Sequence, residues 1–367
     1  MLPAMNAFLF VVGLMALILG ATLLVRGASR LALSLGISPL VVGLTIVAFG
    51  TGAPEVAVSV GAVLEGSTDL AVGSVVGSSI FNVLFILGLS ALIIPLVVDL
   101  QLIRQEVPIM IAACVLLLVL GLDGQISVLD GALLLTLMCA YTVFLVVQSR
   151  RQSQAAPVNP DAQIHPVRAG AWDSTLPAQL GLMVLGLVLL VFGSEWLVTA
   201  AVAFAKAMGV SDLIIGLTIV AAGTSMPEVA TSIAAALKGE RDIAVGNVVG
   251  SNTFNILGCL GITGLVAGEG GLSIAPSVLA FDIWVLIAVA VACLPVFISG
   301  KEIARWEGAV FLGYYLAYVS YLILAAQAHD ALGPFSAVMM SFVVPLTVVT
   351  LIVVMLKRQQ ASGGDSN

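Results

Sequence analysis

The chain has 367 residues, 60% of them hydrophobic and 9% charged, with a mean hydropathy of +1.19 and a formal net charge of -7. A water-soluble domain carries charge on roughly a quarter of its residues, so this composition excludes an ordinary soluble fold and makes lipid the solvent. No basic stripe marks a nucleic-acid surface, and Cys114, Cys139, Cys259 and Cys293 stand inside apolar runs without metal-like spacing, as small buried hydrophobes do.

In chain order, the N-terminal MLPAMNA places no Lys or Arg ahead of its apolar run. A cleaved signal peptide is therefore not expected, and the first run reads as a retained span. Apolar runs predict about eleven spans, at 7–25, 31–63, 70–97, 107–121, 127–148, 177–199, 211–237, 243–268, 277–298, 304–326 and 334–356. Only 149–176 is long and polar; its Gln, Ala, Pro and Asn content, with His165, reads as a linker. With the N-terminus outside, the inner side receives Arg26, Arg30, Arg104, Arg150, Arg151, Arg168, Lys238, Arg241, Lys301, Arg305, Lys357 and Arg358, and only Lys206 falls outside. That bias is the positive-inside pattern. It predicts a multi-pass protein of the cell inner (plasma) membrane with a cytoplasmic C-terminus.

The chain repeats itself. "GLTIVAFGTGAPEVAVSV" (43–60) returns as "GLTIVAAGTSMPEVATSI" (216–233), 173 residues on, and "DLAVGSVVGSSIFNVLFILG" (69–88) returns as "DIAVGNVVGSNTFNILGCLG" (242–261). Further out, "AYTVFLV" (140–146) resembles "AYVSYLI" (317–323) at an offset grown to 177. Five spans per repeat, an odd number, start the second copy on the opposite side of the membrane, the inverted architecture of many secondary transporters. The expected organisation is a first repeat at 1–148, a cytoplasmic linker at 149–176, a second, inverted repeat at 177–326, and an extra C-terminal span and tail at 327–367. The fold class is an all-α polytopic membrane protein of two inverted five-helix repeats plus one helix.

The strongest matches are polar and lie at membrane depth. Glu55 and Glu228 are read as the only carboxylates deep within spans, with Glu195 near the end of the sixth. A charge at the bilayer centre costs at least about 3 kcal/mol and marks a functional site. A close pair repels unless a proton or a cation intervenes. Thr51, Glu55 and Ser59 share a helical face by i, i+4, i+8 spacing, as do Thr224, Glu228 and Ser232. In the following spans Ser74, Ser78 and Asn82 align, as do Asn247, Ser251 and Asn255. These hydroxyl, amide and carboxylate oxygens suit sodium or calcium rather than zinc or copper. Pro54 and Pro227 are expected to free backbone carbonyls near 47–51 and 220–224 as further ligands. Gly73-xxx-Gly77 and Gly246-xxx-Gly250 read as close helix packing.

"GTGAPEV" and "GTSMPEV", each followed by a VGSxxFN segment ("VGSSIFN", "VGSNTFN"), closely resemble the two alpha-repeats of the cation/calcium exchanger superfamily. The chain looks most like a prokaryotic sodium/calcium antiporter over 7–326; the linker and last span lie outside the resemblance. It implies ten helices in two inverted halves, with a core of spans two, three, seven and eight. Carried onto this sequence, it implies cation contacts by Thr51, Glu55, Ser78, Asn82, Thr224, Ser225, Glu228, Ser251 and Asn255, and by backbone carbonyls near Ala48 and Ala221. Two positions depart: Gly52 stands where the first motif often has Ser, and Asn255 where some members have Asp. The second lowers the site's charge and argues against potassium co-transport.

The function expected is calcium export in exchange for sodium by alternating access, the outer spans one and six sliding against the core. It needs no cofactor beyond the transported ions, no enzymatic activity, no nucleic acid and no obligatory protein partner. A calcium/proton antiporter on the same fold stays open as the alternative. A passive channel and an intramembrane hydrolase are further rivals, the last lacking any His or Lys placed to activate a Ser or Thr.

Overall fold

A computed structural model of the chain describes residues 2–155, 173, 175–210, 212–350 and 352–353. His165 and Arg168, with most of the 149–176 linker, and Lys357 and Arg358 in the tail lie outside the described residues.

The first helix, α1, spans Leu2–Leu35. It runs ten residues past the predicted end at 25, through Arg26 and Arg30, because nothing breaks it before Gly36, whose φ of 62° ends the helix. Gly209, 173 residues on, has φ 80° and closes the equivalent helix. The second span begins at Ser38, whose side chain caps the Val41 N–H, with Pro39 at the first turn. It is a broken helix, α2 (Pro39–Thr51) and α3 (Ala53–Leu64), bent by 41°. Beyond it come α4 (Thr68–Ile93), α5 (Leu102–Asp123), α6 (Val128–Gln152) and α7 (Leu176–Ala207). The segment 212–223 and α8 (Met226–Leu237) rebuild the broken span in the second half. The chain finishes with α9 (Arg241–Gly270), α10 (Val278–Ile298), α11 (Arg305–Ala326) and α12 (Leu332–Thr350). Among the described residues nine helices are each long and apolar enough to cross a membrane and the bent α2–α3 pair makes ten, while the shorter apolar helix α8 lies within the expected span 211–237.

α4 and α9 are the centre, 72% and 89% buried along their apolar stretches against 0–39% for the other unbroken spans. α12 is the least buried of them and touches the body through Tyr314, whose hydroxyl meets Thr347 Oγ1 at 2.7 Å. Three cysteines are buried as expected, whereas Cys139 is exposed.

A pseudo-twofold axis shows in the contacts. Leu96–Val97 pairs with Glu302–Ile303 in one antiparallel ribbon, and Gln125–Ile126 with Leu272–Ser273 in another. The axis exchanges them. It also governs α1 against α7: a Cβ on Gly13 would sit 2.8 Å from the Gly193 carbonyl, and one on Gly20 2.7 Å from that of Gly186. The two outer helices thus lie backbone to backbone, as small residues allow in lipid. The glycine expectation for the central helices holds in one half only. Gly246 and Gly250 are pressed against Leu40 and Leu44, but Gly77 has open space and Gly73 meets only Val278 at 3.8 Å.

One expectation about charge needs correcting. α5 starts at Leu102 rather than 107, with a π-helical first turn, and this draws Glu106 into the span. Glu106 is fully buried, yet satisfied: Tyr141 donates to Oε2 at 2.6 Å, and Gln101 and Gln105 donate to Oε1 at 2.8 and 2.7 Å. The second half answers with Tyr318 donating to Asp282 at 2.8 Å. These carboxylates tie neighbouring helices together and have their donors, which sets them apart from the pair below.

Candidate functional site

The two breaks meet α4 and α9 at the centre of the molecule. Gly52 (φ -80°, ψ 1°) and Ser225 (φ -89°, ψ 8°) each leave helical geometry, and Pro54 or Pro227 opens the next helix within its first two positions. Each new helix carries its glutamate in the first turn, where the N-terminal end of the helix dipole favours a negative charge. A π-helical turn precedes each break, Gly43–Val47 and Gly216–Val220. Others fall at Asn82–Leu87 and Phe254–Cys259, so that Asn82 and Asn255 sit where the regular ladder is interrupted.

Glu55 and Glu228 are each 1% exposed and near enough to repel one another. Ser225 Oγ donates to Glu55 Oε1 at 3.0 Å. Thr224 lies beside the Glu55 carboxylate and Thr51 beside that of Glu228, so each repeat's threonine serves the other repeat's acid. Thr51 Oγ1 also donates to Asn247 Oδ1 at 3.3 Å, and Asn247 Nδ2 to Ser232 Oγ at 3.0 Å. Cys259 Sγ donates to Ser59 Oγ at 3.6 Å.

What remains is a set of buried oxygens that no protein donor reaches: Glu55 Oε2, Ser78 Oγ and Asn82 Oδ1 from the first repeat, Glu228 Oε2, Ser251 Oγ and Asn255 Oδ1 from the second. They form three repeat-related pairs. A buried polar atom without a partner costs about 1–3 kcal/mol, and water, a proton or a hard cation can each supply one to these six. Thr231 Oγ1, one turn after Glu228, is a further such atom that sequence reading passed over, its i+3 spacing being the available signal; Ser29 Oγ, Ser90 Oγ and Asp173 Oδ1 are the others among the described residues.

The backbone contribution differs from expectation. Ala48 O accepts the Gly52 N–H at 3.0 Å, so one of its lone pairs is engaged. The carbonyl that Pro227 leaves without an N–H partner is that of Gly223, and Ser194 Oγ on α7 donates to it at 2.7 Å. Ala221 opens the short helix Ala221–Gly223 at the place equivalent to Ala48; its side chain is outside those described. The halves also differ at Gly52. A Cβ there would lie 2.9–3.0 Å from the Phe254 ring and 3.0 Å from Ala48 O, so this position has no room for the hydroxyl that Ser225 supplies opposite.

Among the described residues no cluster of three His, Cys, Asp or Glu side chains forms a resident metal centre. Two carboxylates amid neutral oxygens can take a hard cation and let it go.

Comparison with known proteins gives a consistent set. The family described as "Sodium/calcium exchanger protein" matches residues 5–147 and 178–324. A putative antiporter, CaxA, from Alkalimonas amylolytica is 39% identical, covering 86% of this chain and 97% of its own. The sodium/calcium exchanger MaX1 of Methanosarcina acetivorans is 33% identical, with coverage of 86% and 97%. Among solved structures, the sodium-calcium exchanger NCX_Mj soaked without sodium or calcium superposes with a TM-score of 0.73 at 30% identity, over 87% of this chain and 99% of that one.

Proposed function

The chain belongs to the sodium/calcium exchanger protein family, and on that premise we propose that it exports Ca²⁺ from the cytoplasm in exchange for Na⁺. The observation that carries the reading is the three repeat-related pairs of buried, unpaired oxygens around Glu55 and Glu228. Calcium takes six to eight oxygens, and the six side-chain atoms, helped by a carbonyl such as Ala48 O, reach that number. The two carboxylates supply the charge that one Ca²⁺ or two Na⁺ neutralise, and Asn255 adds none. The ions therefore compete for one site.

Alternating access follows from the same electrostatics. Without a cation the facing carboxylates repel or take up a proton, so only loaded states favour the switch. The moving part is the α1–α7 pair, held together by its glycine contacts and linked to the site through Ser194. Binding then shifts the population between outward and inward states. The basic residues near the α1 C-terminus, in the first turn of α5 and at the starts of α9 and α11 support a cytoplasmic side there, with the N-terminus outside.

Calcium-isotope uptake into vesicles preloaded with sodium, potassium or acid tests the proposal. Uptake driven by internal sodium alone is the expected result. Uptake driven only by internal acid would make the counter-ion a proton, and uptake indifferent to the internal ion would make the protein a channel.

A further inference from the structure

We infer that Asn252, which touches neither carboxylate, is a positioning residue that fixes which end of the Asn82 amide faces the cation; the inference rests on the proposed site. Asn252 is fully buried on α9, one residue after Ser251 and three before Asn255, the two expected ion contacts of its own repeat on that helix. Its Nδ2 donates to the Ser79 backbone carbonyl at 3.1 Å, and its Oδ1 accepts from Asn82 Nδ2 at 3.1 Å.

The logic of donors and acceptors sets the direction of this chain. A backbone carbonyl can only accept, so the Asn252 amide must turn its NH₂ toward Ser79. Its Oδ1 then faces Asn82, which must answer with its own NH₂. Asn82 Oδ1 is thereby aimed elsewhere, and it is one of the six buried oxygens that no protein donor reaches. A flipped Asn82 would set two carbonyl oxygens against each other and turn N–H groups toward a cation. The orientation is thus anchored at a main-chain atom that side-chain rotation cannot change.

The first repeat lacks this device. At the position equivalent to Asn252 it carries Ser79, whose hydroxyl turns back to the Val75 carbonyl at 2.8 Å. The same replacement can therefore be made in the second repeat without forcing an alien residue into the fold.

The test is Asn252→Ser, read in calcium exchange and in folded yield and thermal midpoint. Partners that orient a metal ligand typically contribute about 10–100-fold in affinity. The calcium concentration for half-maximal exchange is expected to rise on the order of tenfold, with the maximal rate retained. In an Asn82→Ala background the same change should alter half-saturation by less than about twofold, since Asn252 acts through Asn82. Asn252→Ala is the second variant should the serine fold poorly. Unchanged half-saturation in the single variants, or losses that multiply in the Asn82→Ala background, would overturn the inference alone. No calcium exchange by the unaltered chain would overturn the proposed function and this inference with it.

Discussion

The two repeats present matching proposed ligands but unequal supports. Each contributes a glutamate, a serine and an asparagine oxygen without a protein donor. The groups that hold those ligands come mostly from the second repeat. Ser225 donates to Glu55, Asn247 accepts from Thr51, and Asn252 accepts from Asn82. The equivalent first-repeat positions carry Gly52, Ser74 and Ser79. On the proposed site, the repeat therefore pairs the ligands but not the groups that hold them, and the scaffold of one half serves both.

The glutamates are where the symmetry should be strongest. Glu55→Gln and Glu228→Gln each remove half the site's charge at nearly constant volume. Both are expected to reduce sodium-driven calcium uptake by at least about 100-fold, since a buried carboxylate contact to a divalent ion is worth several kcal/mol. Folded protein should remain, as judged by monodisperse yield. Full transport by both variants would refute the shared site.

The next pair breaks the symmetry at one repeat position. Ser225→Ala removes the donor to Glu55 and leaves no clash; a hydrogen bond to a charged group is worth about 1.5–3 kcal/mol, so calcium affinity should change by roughly tenfold or more. Gly52→Ala adds one carbon where the Phe254 ring already sits at 2.9 Å. Overpacking of this kind costs about 1–3 kcal/mol, so the expected loss is in thermal midpoint and folded yield. The measurement that separates them is thermal unfolding beside transport: one variant should fail chiefly in binding, the other chiefly in stability.

Ser194 gives a smaller effect. Its equivalent on α1 is Ala21, which has no hydroxyl, so among the described residues the tie from an outer helix to the carbonyl released by proline is that of the second repeat. Ser194→Ala leaves the Gly223 carbonyl unpaired, for about 1 kcal/mol. A modest fall in thermal midpoint is expected, with a changed exchange rate at saturating calcium. An unchanged rate would remove Ser194 from the coupling between α7 and the site.

Sequence singled out the proposed ligands and concealed the groups that hold them, for a physical reason. Glu55, Glu228 and their oxygen-bearing neighbours stand out because polarity at membrane depth is costly and appears twice. Asn252 and Ser194 are also polar in apolar runs, but a lone amide or hydroxyl in a membrane helix is common, and their partners are backbone carbonyls without a residue-type signature. Glu106 escaped because a π-helical first turn lengthened its span. The glycine pairs matched in sequence yet packed differently, since which face of α4 or α9 meets another helix depends on the assembled bundle. The membrane spans and the inverted repeat were legible because they need only hydropathy, length and self-similarity.

The smallest expected effect lies at the ends of the outer helices. Asp173 binds Arg26 at 2.7 Å and Arg30 at 3.5 Å, while the equivalent places on α7 are Thr199 and Ala203 and offer no such partner. The hydrogen bond from Arg26, with the Arg30 charge behind it, holds the Asp173 carboxyl below the usual carboxylate range. A lowered folded-state pKa contributes stability that is present above the ordinary Asp value of about 3.9 and is lost as pH falls through the lowered one. Asp173→Asn should therefore lower the thermal midpoint slightly at neutral pH. The gap from the unaltered chain should close as the solution is acidified below the ordinary Asp value. A gap that stays constant down to the lowest pH at which the protein folds would mean that Asp173 acts through packing, and that its charge does not distinguish the α1 end from the α7 end.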